Sequence, residues 1–333
     1  MSIPIVVAAA GVAFILALFS TALWIRIAPR FHLLDVPAGR KEHKSPTPTA
    51  GGIAVFVSFS IGYCLLASFA STFRPDWSLL VASSMLVLVG LLDDRFSLSW
   101  QSRLLVQCLL AVAVVLRGGN TDLMQFLAGL AWIVVLTNAF NMVDNMDALA
   151  AGTAEIVALA FLAIALLTGY DSGVVVPGLL FAGAVAGFLW FNLPPAQVFM
   201  GDAGSTFLGF FLATISWQNF VSQSWQLALA AVCVCGVLWY DCLTVTGLRL
   251  KQGKSPFQGD RQHISHRFLT RGCHSVQAVR YVHGLAALSA VTGILISCSS
   301  PTMAWPLFAG AFLGWFGFGM WDFVSYCRSL RAG

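Results

Sequence analysis

Asn138-Ala-Phe-Asn141-Met-Val-Asp144-Asn-Met-Asp147-Ala-Leu-Ala-Ala-Gly152 sets four hydrogen-bonding side chains three residues apart within apolar sequence. On a helix each step of three turns about 300°, so neighbours in the series stack while its first and last members drift to opposite sides. One straight helix is therefore a poor host. The spacing predicts that Asn138 and Asn141 end one helix and that Asp144 and Asp147 lie on the loop or first turn beyond it, with Asn145 taking a left-handed backbone. Capping explains any single Asn or Asp of the set. Four together point to a site at a break between two apolar helices.

Outward from that break, the chain is 333 residues long, 58% hydrophobic and only 10% charged, with a mean hydropathy of +0.83. Soluble domains carry about a quarter charged residues, and they do not repeat apolar runs of about 20 residues. The chain reads as all-α: a polytopic integral membrane protein forming one domain over residues 1–333. Apolar spans fall near residues 3–25, 50–70, 78–93, 103–117, 122–142, 149–169, 174–192, 205–221, 225–248, 280–298 and 304–326, eleven in all. The first has Arg26 and Arg30 after it and no basic region before it, the pattern of a signal anchor. The eight cysteines lie mostly within apolar runs and lack metal-ligand spacing, so they read as small buried hydrophobes without a disulfide framework.

Placing residues 29–49 in the cytoplasm assigns every loop a side. Sixteen of the eighteen Lys and Arg then fall inside and only Arg74 and Arg117 outside, which fits an outer N-terminus and a cytoplasmic C-terminus. Asp76, Asp122 and Asp171 fall in outer turns, while Asp93, Asp94, Asp144, Asp147, Asp202 and Asp260 collect on the cytoplasmic face. A transporter more often keeps such groups near the midplane. The candidates for that pattern, Asp241 and Asp322, lie toward the cytoplasmic ends of their spans, leaving a transporter or lipid-binding protein as the rival reading.

Three further polar segments share this face. Asp93 and Asp94 end a span, where the helix dipole disfavours negative charge; Arg95 and Arg103 can offset the repulsion, and a bound cation or a proton-accepting role is the sharper alternative. In Asn192-Leu-Pro-Pro-Ala-Gln-Val-Phe199-Met-Gly201-Asp202-Ala-Gly204-Ser205 the prolines break one helix and a loop feeds the next. There Asp202 either caps the new helix or serves as a hard oxygen ligand for Mg²⁺ beside amides that suit a phosphate. The longest basic loop runs from Arg249 to Arg267, and its His263 and His266, with no Cys or third His nearby, suit diphosphate oxygens better than a transition metal. Arg40, Lys41, His43 and Lys44 repeat that basic chemistry near the N-terminus.

Together these motifs resemble the polyprenyl-phosphate N-acetylhexosamine-1-phosphate transferases (glycosyltransferase family 4), in particular the WecA/TagO-like branch. The resemblance rests on Asp93-Asp94, the Asn138–Asp147 series, Asn192 with Val198-Phe199-Met-Gly201-Asp202-Ala-Gly204-Ser205, and Ser255-Pro-Phe with Asp260-Arg261-Gln-His263-Ile-Ser-His266. It implies transfer of a sugar 1-phosphate from a UDP-N-acetylhexosamine to a membrane polyprenyl phosphate, on the cytoplasmic face of a bacterial inner membrane, initiating cell-surface polysaccharide synthesis. It implies Mg²⁺, with Mn²⁺ as a substitute, held by Asn192 and Asp202, and Phe199 stacked on uracil. Asp93 then accepts or orients the acceptor proton, and Asp94, Asp144 and Asp147 complete the polar site with Asn138 and Asn141. Lys44, His263 and His266 contact phosphates. No nucleic-acid partner is expected, and a homodimer is compatible with the reading.

The chain departs from the family pattern at three positions. Where the family usually reads Asp-Gly-x-Asp-Gly it has Asn145 and Ala148, and where the family commonly reads His-Ile-His-His it has Ser265. Asn tolerates the backbone that Gly favours, and Ala adds a methyl. These changes imply altered sugar preference or activity.

Overall fold

The computed structural model describes residues 3–36, 46–70, 73–119, 122–169, 174–256 and 259–332. Lys44, with Arg40, Lys41 and His43, lies outside the described residues. The helices are α1 (Ile3–Ile27), α2 (Gly52–Phe69), α3 (Trp77–Phe96), α4 (Trp100–Arg117), α5 (Leu123–Val143), α6 (Leu149–Thr168), α7 (Val175–Asn192), α8 (Gly201–Ser216), α9 (Trp225–Val234), α10 (Gly236–Lys251), α11 (Ile264–Thr270), α12 (Ser275–Cys298) and α13 (Pro301–Ala332). The one extended element described is a two-residue antiparallel ladder pairing Leu34 with Pro48 and Asp35 with Thr47. Helix starts follow local chemistry. Asp76 accepts the N–H groups of Ser78 and Leu79 to open α3, Ser99 caps α4 through Ser102, and Asp122 caps α5 through Gln125.

Each of the eleven expected apolar spans is helical, but they do not all cross a membrane on equal terms. Among the described residues nine helices are long and apolar enough to do so, or ten if α9 and α10, bent by 68° at their junction, count as one broken span. The helix α8 falls short at 16 residues and runs on into a π-helical turn over Trp217–Val221. Every residue from Ala203 to Ser216 is buried, because α2, α3, α5 and α6 enclose it, so α8 forms the axis of the bundle rather than a lipid-facing wall.

Lipid tails are as apolar as leucine, so this packing draws on close contact rather than escape from water. A Cβ on Gly52 would lie 1.9 Å from the Gly204 Cα, so two glycines let α2 and α8 meet backbone to backbone. Further along, Phe181 of α7 stacks on Phe211 of α8 with centroids 4.4 Å apart, and Phe59 of α2 meets the same ring edge-on at 5.1 Å. The seven cysteines whose side chains are described are all free, and Cys233 and Cys235 are buried as expected; Cys64 and Cys298 are instead exposed, on outer surfaces of α2 and α12 that this packing leaves uncovered.

Antiparallel alternation brings the polar segments together. The C-terminus of α3, the α5–α6 and α7–α8 connections and the segment after α10 meet at one end of the bundle, joined by hydrogen bonds from Asp202 to Asp94, Ala148 to Asn192 and Ser265 to Asn145. The two carboxylates expected inside spans are both consumed by internal pairs. Asp241 of α10 holds the histidine segment, and Asp322 of α13 accepts from Tyr240 Oη at 2.5 Å and pairs with Arg267 Nε at 3.0 Å and with Arg271. A third intramembrane acid, Glu155 of α6, escaped the sequence reading; its buried Oε2 has no hydrogen-bond partner among the described residues.

Candidate functional site

The break at residues 144–148 sits where its spacing places it. Helix α5 ends at Val143, Asp144 is its C-cap, and α6 begins at Leu149. The left-handed residue, however, is Ala148 (φ 62°, ψ −4°) and not Asn145. Asn145 is engaged elsewhere, its Nδ2 donating to the Met142 carbonyl at 2.9 Å, so the chain reverses three residues later. There the Ala148 N–H donates to Asn192 Oδ1 at 3.0 Å. Gly152, the last residue of the stretch, is explained by a neighbour: a Cβ there would come within 2.4 Å of the His283 ring.

Four carboxylates meet around the start of α8. Asp94 accepts the N–H groups of Asp202 and Ala203 at 2.9 and 3.1 Å, so α8 takes its N-terminal cap from α3 and Asp202 is free of that task. Asp93, buried, accepts the Leu98 N–H at 2.6 Å and pairs with Arg103 at 2.5 Å. The same guanidinium reaches Asp202 Oδ2 at 3.2 Å. Arg103 is thus the cation that offsets the acidic pair, whereas Arg95 lies over the Phe96 ring. Asn141 donates to Asp202 Oδ1 at 2.5 Å and to Ser205 Oγ at 3.0 Å.

Asp144 completes the group. It is half-buried as a residue, and the protein surrounds its carboxyl. Burial, and then the charges of Asp202 and Asp94, drive its proton affinity well above the usual carboxylate range, with the Gly201 N–H acting the other way. Such a concentration of negative charge calls for a proton or a cation.

Other predicted residues serve as braces. Asn138 donates to Gln107 Oε1 at 2.6 Å and to the Val134 carbonyl at 2.8 Å, tying α5 to α4. Asp147 accepts the Ala196 N–H at 2.9 Å and so holds the 193–200 loop. Asn192 is buried, with Oδ1 accepting the Ala148 N–H and Nδ2 donating to the Val198 carbonyl at 2.8 Å, so the α5–α6 and α7–α8 connections are tied through its amide. Phe199 is half-buried, and its backbone joins Pro48 and Gly51 at 2.8 and 2.9 Å.

The histidine segment is anchored to α10. His263 is buried; its Nδ1 lies 2.7 Å from Asp241 Oδ2, and Asp241 Oδ1 accepts the Ile264 N–H at 2.6 Å. Its Nε2 lies 3.5 Å from Arg249, which in turn pairs with Asp260 at 2.9 Å. Burial favours the neutral Asp260 carboxyl, but the Arg249 and Gln262 hydrogen bonds win and hold it below its usual range. His263 is therefore pinned inside a charged chain, and His266, half-buried with its ring 6.4 Å from that of His263, is the more open of the two. Arg249 and Asp241 were missed as organisers because each partner lies eleven to twenty-three residues away in sequence.

Asp144 and Asp202 offer the hard oxygens that Mg²⁺ prefers. Among the described residues no three His, Cys, Asp or Glu side chains are grouped so as to hold a metal.

Residues 77–220, from α3 through the π turn after α8, match the model of the family described as Glycosyl transferase family 4. Relatives extend the likeness over most of the chain. The undecaprenyl-phosphate alpha-N-acetylglucosaminyl 1-phosphate transferase of Escherichia coli (strain K12) is 30% identical over 318 residues, covering 88% of this chain and 84% of its own. That of Yersinia pestis is 32% identical over 294 residues, covering 81% and 78%. The Bacillus subtilis (strain 168) protein named probable undecaprenyl-phosphate N-acetylglucosaminyl 1-phosphate transferase is 28% identical over 309 residues, covering 87% and 85%. With its polytopic helical fold and identity of this level over most of its length, the chain belongs to glycosyl transferase family 4, among the polyprenyl-phosphate N-acetylhexosamine-1-phosphate transferases.

Proposed function

We propose that the protein transfers N-acetylglucosamine 1-phosphate from UDP-N-acetylglucosamine to a membrane polyprenyl phosphate, starting assembly of a cell-surface polysaccharide. A phosphate oxygen of the lipid bonds to the sugar-bearing phosphorus of the donor, the diphosphate bond to the uridine side breaks, and UMP leaves. The observation that carries this reading is the meeting of Asp93, Asp94, Asp144 and Asp202 with Arg103 and Asn141 at one end of the bundle. The relatives' names support undecaprenyl phosphate as acceptor and N-acetylglucosamine as the sugar.

Two anions must approach each other, so charge has to be neutralised at the transferring phosphorus. Mg²⁺, when bound, would supply that neutralisation. Asp202 would hold it, with Asn192 as the motifs imply and with Asp144 as a further hard oxygen beside them. Asp93, steadied by Arg103, takes or orients the acceptor proton. Asp94 holds the first turn of α8, so its N–H groups and Asp202 keep their places as charge moves. Asp147 and Asn192 shape the 193–200 loop that presents Phe199 to the uracil. Clustering of Lys and Arg near this face supports a cytoplasmic site in a bacterial inner membrane.

Purified protein with undecaprenyl phosphate and Mg²⁺ is expected to release UMP from UDP-N-acetylglucosamine, and Asp202→Ala to abolish the release. No UMP from any member of a UDP-sugar panel overturns the reading. Asn145, Ala148 and Ser265 favour a second donor, another UDP-linked N-acetyl sugar, which the same panel identifies.

A further inference from the structure

Ser265 and Asn145 lie 120 positions apart, yet the Ser265 hydroxyl donates to Asn145 Oδ1 at 2.6 Å. Each partner is itself held. Asn145 is anchored to the end of α5 through the Met142 carbonyl at 2.9 Å. Ser265 is 0% exposed in the first turn of α11, and the preceding residues, His263 and Ile264, are fastened to Asp241 at 2.7 and 2.6 Å. The bond therefore joins two anchored segments rather than two loose side chains. On one side stand Asp144 and Asp147, on the other His263 and His266.

We propose that Asn145 and Ser265 form a clasp that positions the histidine segment against the carboxylate loop and so sets the fit of the UDP-linked donor. The inference rests on the transferase reading and adds two positioning residues to it. Both positions depart from the family pattern described above, and the geometry makes the departures interdependent. Glycine at 145 has no acceptor for a serine, which would leave a buried hydroxyl unpaired. Histidine at 265 is too large for the enclosed slot that Ser265 fills beside Asn145. The two changes act as a unit, and their natural readout is capture of the donor diphosphate that spans both segments.

A double-mutant cycle tests this with the full-length protein in detergent, comparing wild type with Asn145→Gly, Ser265→Ala and the double variant. UDP affinity is read by calorimetry, and KM for donor and for polyprenyl phosphate are read separately in the UMP-release assay. Each single change is expected to weaken UDP binding roughly three- to tenfold and to raise donor KM with lipid KM unmoved. The double variant is expected to be no weaker than the worse single. Asn145→Gly with Ser265→His is expected to bind UDP better than Ser265→His alone. Multiplying effects in the cycle, or unchanged UDP affinity in the singles, overturn the clasp. Ser265→Ala removes one oxygen and guards the cycle against misfolding of the larger change. Wild type that binds UDP but turns over no UDP-sugar defeats the transferase reading while the affinity cycle still judges the clasp; wild type that does not bind UDP defeats both.

Discussion

The Asp94 carboxylate of α3 accepts the backbone N–H of Asp202 at 2.9 Å, across 108 residues of sequence, and the Ala203 N–H at 3.1 Å beside it. An acid placed against the negative end of its own helix is thereby also placed at the positive end of another. This contact orients the first turn of the axial helix. Asp94→Ala is expected to lower unfolding stability by about 2 kcal/mol and Asp94→Asn by about 1 kcal/mol, with UMP release down on the order of a hundredfold in the alanine variant as Asp202 loses its position. Denaturation in detergent alongside the turnover assay checks the pair; unaltered stability in the alanine variant removes the capping role.

Arg103 stands between two carboxylates, 2.5 Å from Asp93 and 3.2 Å from Asp202. Its removal leaves more negative charge for a metal and takes away the positive charge that an incoming phosphate would meet. Arg103→Ala is expected to lower kcat while reducing the Mg²⁺ concentration for half-maximal activity by roughly three- to tenfold. A Mg²⁺ titration of activity decides, and a higher Mg²⁺ requirement contradicts the arrangement.

Asp144 makes a statement about pH. Its folded proton affinity is raised, so between the unfolded and folded values the native state binds more protons than the unfolded chain. Stability then falls as pH climbs from about 4, the unfolded value, and the cost is largest above the folded value. In EDTA above neutral pH, Asp144→Asn is expected to melt higher than wild type. Added Mg²⁺ is expected to stabilise wild type more than the variant. Thermal melts at several pH values provide the comparison; an Asn variant that melts lower in EDTA speaks against the charge cluster.

Ala148 holds a left-handed backbone that L-residues other than Asn and Asp rarely adopt. Ala148→Gly is expected to raise stability by up to about 1 kcal/mol, the relieved strain exceeding the entropy added to the unfolded chain. Urea titration measures it. A loss of stability would mean that the buried methyl contributes more than the strain costs.

Much of this molecule was written locally. Runs of apolar residues, the scarcity of charge and the breaks at 144–148 and 193–200 determined an all-helical membrane bundle, because lipid imposes the same demand on each segment whatever its neighbours. The same local patterning singled out the carboxylates that meet at one end. What each of them does depended on packing. Asn192 spends its amide on Ala148 and Val198, Asp94 caps a helix from another part of the chain, Arg103 rather than Arg95 answers the acidic pair, and Ser265 finds Asn145. Sequence spacing names a group that can donate or accept; only the tertiary structure, by bringing distant backbone and side chains within three ångströms or so, decides which partner satisfies it.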